Sequence, residues 1–98
     1  MLPSESLLIH RSGVLEIMSR YDQEGISNPR IIGSVARRQD RPDSDLDFLI
    51  DAGTVSLMIL GKLQAELEEL LEVPVHIVLS DSIKPGLRER ILAEAVDI

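Results

Sequence analysis

The chain has 98 residues, 44% of them apolar, a size that supports one modest core and leaves no room for a second domain. Seventeen acidic residues against ten Lys and Arg give a formal net charge of -7, which repels a phosphate backbone and argues against stable binding of duplex nucleic acid. Cysteine is absent, which excludes disulfides and thiolate metal sites; no signal pattern opens the sequence and no run approaches the ~20 apolar residues of a membrane span, so the expected location is the cytoplasm.

Tyr21 and Phe48 are the only aromatic residues, so the core must be assembled from Leu, Ile, Val, Ala and Met. Over residues 5 to 24, Leu7, Leu8, Val14, Leu15, Ile17 and Met18 recur at broadly helical spacing after Pro3, with Ser4 or Ser6 as candidate caps. Gly25 stops this helix, Ser27-Asn28-Pro29 reads as a turn, and Arg30-Ile31-Ile32 has strand character before Gly33. Ser34 to Gln39 suits a short helix, and Asp40 to Ser44 is a polar turn.

Asp45-Leu46-Asp47-Phe48-Leu49-Ile50-Asp51 alternates as a second strand, with its acidic residues starting on one face and Leu46 and Phe48 on the other. From Ser56 to Glu72 the positions Leu57, Leu60, Leu63, Leu67, Leu70 and Leu71 form an apolar helical stripe opposite Gln64, Glu66, Glu68 and Glu69. Val73 to Leu79 is β-branched and apolar, with Pro74 near its start and His76 inside, and reads as a third strand. A last helix is expected at about Leu87 to Ala95. The order predicts an α/β (α+β) architecture, a small mixed sheet of about three strands packed by about four helices.

Chemistry concentrates between the first two strands. Side chains on a strand repeat with a period of two, so Asp45 and Asp47 project from one face with adjacent carboxylates that repel each other unless a cation lies between them. Hard oxygen ligands suit Mg²⁺, which takes one or two carboxylates and completes its octahedron with water and phosphate oxygens. Gly33 lets a phosphate approach the backbone, and Ser34 adds a hydroxyl at the start of a helix. Either feature alone is commonly just a turn or a solvated strand edge, and their joint occurrence at this spacing is what points to a site.

The sequence Gly33-Ser34-x-Ala36-Arg37, followed by Arg41-Pro42-Asp43-Ser44-Asp45-x-Asp47, resembles the signature of the DNA polymerase β nucleotidyltransferase superfamily. It is most similar to the minimal, MNT-type branch, which includes antitoxins paired with HEPN-domain ribonuclease toxins. The resemblance spans nearly the whole chain, including the closing segment Lys84 to Leu92, and implies one minimal nucleotidyltransferase domain over residues 1–98. It further implies an ATP- and Mg²⁺-dependent adenylyltransferase in which Asp45 and Asp47 hold metal and Gly33, Ser34, Arg37 and Ser44 bind the nucleotide. The implied acceptor is a tyrosine hydroxyl of a HEPN-type toxin, held in a hetero-oligomer.

The match has departures. Members of this family commonly carry a third carboxylate in the last strand, in a context matched here by Val75-His76-Ile77-Val78, so His76 stands in its place. A neutral imidazole can accept a proton near physiological pH, so His76 is the candidate catalytic base. The same replacement removes a charge that would help hold a second cation, which gives an alternative: a weakened fold acting as a non-enzymatic binding antitoxin. Asp51 keeps strand parity but lies about 13 Å beyond Asp47, too far to substitute. Asp81 falls in a loop, His10 is expected to be structural or solvated, and Arg38 occupies a position where many relatives have glycine.

Overall fold

A computed structural model describes residues 1–98. Its helices are α1 (Pro3–Ile9), α2 (Arg11–Arg20), α3 (Gly33–Ala36), α4 (Leu57–Leu71) and α5 (Pro85–Glu94), and its strands are β1 (Ile26–Ile32), β2 (Leu46–Ala52), β3 (Val75–Leu79) and β4 (Val96–Asp97). The sheet order is β3-β2-β1-β4. β2 and β3 run parallel, which requires a crossover, and α4 provides it; β1 is antiparallel to both β2 and β4.

The two faces of β2 do different work. Leu46, Phe48 and Ile50 point into the main core and are fully buried against Val14, Ile17 and Met18 of α2 and Leu63, Leu67 and Leu71 of α4. Each such side chain stabilises the fold by roughly 1.5–3 kcal/mol relative to exposure. On the other face, Leu49 packs in a small cluster with Ile32 and Ile83, flanked by Val78, Ile91 and Ala95. Asp47 shares this thinly covered face, over which the 3₁₀ turn Ser80–Ser82 with Ile83, and Ile91 of α5, provide the cover.

The long predicted helix is confirmed with its caps. Ser56 Oγ accepts from Ile59 N–H at 3.2 Å, and Glu72 ends α4 in the left-handed region at φ 57°. Four expectations need correction. The opening helix breaks at His10 into α1 and α2, and Ser4 and Ser6 lie inside α1 instead of capping it. The cap interaction is instead made by Leu2 N–H, which donates to Glu5 Oε1 at 2.8 Å.

Ser27-Asn28-Pro29 is a bulge within β1: pairing jumps from Ser27 opposite Asp51 to Arg30 opposite Leu49, Asn28 sits at φ 52°, and proline has no N–H for the ladder. α5 begins two residues early because Pro85 suits the first helical turn. A fourth strand exists, since Val96 and Asp97 pair with Ile31 and Arg30; two residues are too few for periodicity to reveal. No helix is long and apolar enough to cross a membrane.

Two polar groups tie the helical layer together. Ser6, 1% exposed, donates from Oγ to the Leu71 carbonyl at 2.6 Å and so joins α1 to the end of α4. Ser6→Ala leaves that carbonyl unpaired and is expected to cost about 1–3 kcal/mol, read as a lower urea midpoint at constant m-value. An unchanged midpoint would show that the bond contributes nothing.

Buried Tyr21 donates its hydroxyl to Glu66, and burial, reinforced by that carboxylate, pushes its phenol up to about 12. A raised acid favours the neutral form in the folded state, so this stabilisation is complete below the unfolded value of about 10 and fades as pH climbs through the folded value. With one tyrosine and no tryptophan, phenolate absorbance reports this group alone. Its ionisation is expected to be delayed beyond the ordinary range and to shift down on unfolding; titration of the folded chain at the ordinary value would refute the coupling.

Candidate active site

The site forms where β1 ends, β2 begins and β3 passes alongside. Ile32 pairs with Asp47, and Asp47 pairs with His76, so one row across three strands carries the key groups. Immediately after Ile32, the chain turns at Gly33 with φ 78°, a left-handed conformation natural to glycine. A Cβ at this position would overlap Asp47 Oδ2, so only glycine lets the turn lie against the carboxylate.

Asp45 lies one residue before β2, yet its carboxylate points to the same side as that of Asp47. His76 Nδ1 is 3.3 Å from Asp47 Oδ1 and 3.6 Å from Asp45 Oδ2. Partial burial raises the Asp47 pKa; His76 opposes that shift, the charge of Asp45 adds to it, and Arg37 opposes it. A half-buried carboxylate beside a second one lacks positive charge, the condition a hard cation relieves. Asp45 and Asp47 therefore fit Mg²⁺ as a pair. No three His, Asp or Glu side chains are grouped into a ready-made metal cage, in keeping with an ion that draws its remaining ligands from water and phosphate.

Beside the carboxylates lies a pair of donors. Gly33 N–H donates to Glu94 Oε1 at 3.3 Å, and Arg37 Nη1 reaches Glu94 Oε2 at 3.1 Å and Oε1 at 3.5 Å. Arg37 Nε also donates to Gln39 Oε1 at 3.3 Å. Because α3 is a single turn of four residues, the anion-attracting groups here are these discrete donors and not a helix dipole. Ser34 stands next to Gly33 in that turn, partly buried. Ser44 is engaged in its own loop, where Oγ accepts from Arg41 N–H at 2.8 Å and its N–H returns to Arg41 O at 2.9 Å.

The remaining candidates are placed elsewhere. Asp51 accepts from Asn28 Nδ2 at 3.0 Å and pairs with Arg30 at 2.5 Å; the Asn28 bond first, then Ser80 and Arg30, hold its carboxyl below the usual range. It braces the β1 bulge. His10 sits at the α1–α2 break, and Asp81 is exposed in a 3₁₀ turn. Arg38 adopts φ 59°, the conformation that explains why glycine suits this position. Glu94 is the residue that motif reading misses. Its only sequence signal is its place three residues after Ile91, on the side of α5 that meets the sheet.

The sequence profile of the nucleotidyltransferase domain family matches residues 11–98, the stretch that builds this whole arrangement. The chain belongs to the nucleotidyltransferase domain family. A Methanocaldococcus jannaschii protein described as a candidate protein adenylyltransferase is 42% identical over 78% of this chain and 83% of its own length. The protein adenylyltransferase MntA of Thermococcus cleftensis is 34% identical over 83% of this chain and 80% of its own.

Among solved structures, a candidate minimal nucleotidyltransferase superposes with a TM-score of 0.79 at 36% identity, covering 94% of this chain and 95% of the other. A toxin-antitoxin crystal structure with AMP-PNP shares the fold at a TM-score of 0.69 and 17% identity, over 86% of this chain and 70% of that one.

In this nucleotidyltransferase domain, Gly33→Ala is expected to cost about 1–2 kcal/mol through backbone strain and to displace the Asp47 carboxylate. A misplacement of that kind lowers nucleotidyl transfer by about a hundredfold. Circular dichroism would confirm the retained fold, and undiminished transfer would show that the close approach is dispensable.

Proposed function

We propose that this single domain transfers AMP from ATP to a tyrosine hydroxyl of a HEPN-type toxin and thereby neutralises it, within a complex of the two proteins. The observation that carries the proposal is the contact of the Gly33 turn with Asp47, which sets two anion donors directly beside two same-side carboxylates. Membership of a family whose relatives include named protein adenylyltransferases supports the reaction type. The toxin-antitoxin structures with the same fold support the kind of partner.

Roles follow from position. Gly33 N–H and Arg37 bind phosphate oxygens, with Ser34 alongside, and Ser44 stiffens the loop that delivers Asp45. Asp45 and Asp47 are the residues that would hold Mg²⁺, which when bound neutralises charge on the phosphates and favours in-line displacement. The acceptor oxygen forms a bond to the α-phosphorus as the bond to the bridging oxygen breaks, and pyrophosphate leaves with that electron pair.

His76 receives the hydroxyl proton. His76 Nδ1 lies 3.3 Å from Asp47 Oδ1 on a side chain that is 60% exposed and open to an incoming group, and an imidazole that holds its ring proton toward Asp47 keeps Nε2 as the acceptor. That exposure also favours a second reading: a histidine standing over two carboxylates can satisfy them without metal, leaving a scaffold that neutralises its partner by binding alone.

Transfer of labelled AMP from ATP to the partner toxin in the presence of Mg²⁺ separates the two. The natural chain is expected to transfer, and Asp47→Ala to lose about a hundredfold or more while staying folded. Transfer only after His76→Asp would favour the binding module, and full activity in Asp47→Ala would sink the enzymatic assignment.

A further inference from the structure

The donors assigned to the nucleotide are already in use. Glu94, at the last turn of α5, accepts from Gly33 N–H at Oε1 and from the single nitrogen Nη1 of Arg37 at both oxygens, so one carboxylate spans both groups. It thereby copies what a phosphate would do: anionic oxygens facing a backbone N–H and a guanidinium at hydrogen-bonding distance. From these contacts we infer that Glu94 is an internal anion that holds the nucleotide site shut and is displaced when a nucleoside triphosphate enters. The inference rests on the proposal that Gly33 and Arg37 bind the nucleotide.

Three observations make displacement feasible. First, the pair is partly solvated, with Arg37 47% and Glu94 25% exposed, and ion pairs of this kind hold by a factor of only a few. Second, the end of α5 that carries Glu94 is lightly held: none of the helix's residues is buried, Ile91 with neighbouring Ala95 supplies its apolar contact to the sheet, and its one polar tie, Arg88 Nη1 to the Ser80 carbonyl at 2.5 Å, lies nearer its start.

Third, the two anions cannot share the donors. A triphosphate carrying several negative charges repels a carboxylate at the same position, and the surrounding protein is already acidic. Entry of nucleotide therefore moves the Glu94 carboxylate outward, away from Gly33 and Arg37. A chain that binds its own donors spends part of the time closed, and its apparent affinity falls by the fraction that is open.

The test titrates Mg-ATP, by calorimetry, into the natural chain, Glu94→Gln, Glu94→Ala and Arg37→Ala. Both Glu94 variants are expected to bind roughly threefold to tenfold more tightly than the natural chain, and Arg37→Ala more weakly. If Glu94 merely positions its partners, affinity falls in Glu94→Ala and recovers in Glu94→Gln. That pattern, or equal affinity in all Glu94 forms, overturns the gate while the nucleotide site stands, because the natural chain still binds. No binding by any of the four chains removes the nucleotide site itself and the gate with it. The conservative glutamine keeps helix length and side-chain size, so the outcome does not hang on whether alanine is tolerated.

Discussion

The contact between the Gly33 turn and the Asp47 carboxylate is the constraint on which the site depends. It exists because β1 and β2 pair so that Ile32 lies opposite Asp47, leaving the first residue after β1 directly over that side chain. Strand pairing is itself dictated by the core: Leu46, Phe48 and Ile50 must all face α2 and α4. A one-residue slip would drive Asp47 into an apolar layer and expose Phe48, so the hydrophobic pattern that folds the chain also fixes the carboxylate's position. The chemistry borrows its precision from packing on the opposite face.

That division explains the uneven cover of the sheet. One face carries two well-packed helices over a large buried cluster. The other carries the 3₁₀ turn Ser80–Ser82 and α5, joined through a three-residue buried cluster of Ile32, Leu49 and Ile83 and its neighbours. Elements that move on ligand binding come from the low-stability end of a structure, and here the thin cover coincides with the face that holds Asp47, His76 and Glu94. A second fully packed layer would bury the carboxylates and raise the cost of ionising them further, against the needs of a cation site.

Much of this was legible in the sequence, and the gaps have physical causes. Asp45 and Asp47 share a side because strand periodicity is rigid, and α4 is unmistakable because its leucine stripe is long and regular. The sequence marks Gly33 for close approach to phosphate; its contact with Asp47 depends on strand pairing, which local pattern does not encode. The break at His10 has no Gly or Pro to mark it, and it follows from α1 reaching Leu71 through Ser6. Asn28 and Pro29 signalled a departure from regular strand, correctly, but whether such a pair makes a turn or a bulge is decided by Asp51 and Arg30 on neighbouring positions. Glu94 was invisible because a glutamate at a helix end is ordinarily solvated, and only the fold brings it to residues sixty positions earlier in the chain.

The charge balance of the site gives the replacement of a carboxylate by His76 a direct consequence. Arg37 and Glu94 cancel one another while they are paired, which leaves Asp45 and Asp47 as the uncompensated charges beside Gly33. One divalent cation would neutralise those two. A third carboxylate at position 76 would restore a negative excess for a second cation to offset, whereas an imidazole adds no negative charge and a single divalent ion would balance the pocket. Under the proposed gate, a triphosphate that takes over Arg37 would turn Glu94 outward with its charge, and the site would keep the basic group that an acidic protein needs in order to admit a polyanion at all.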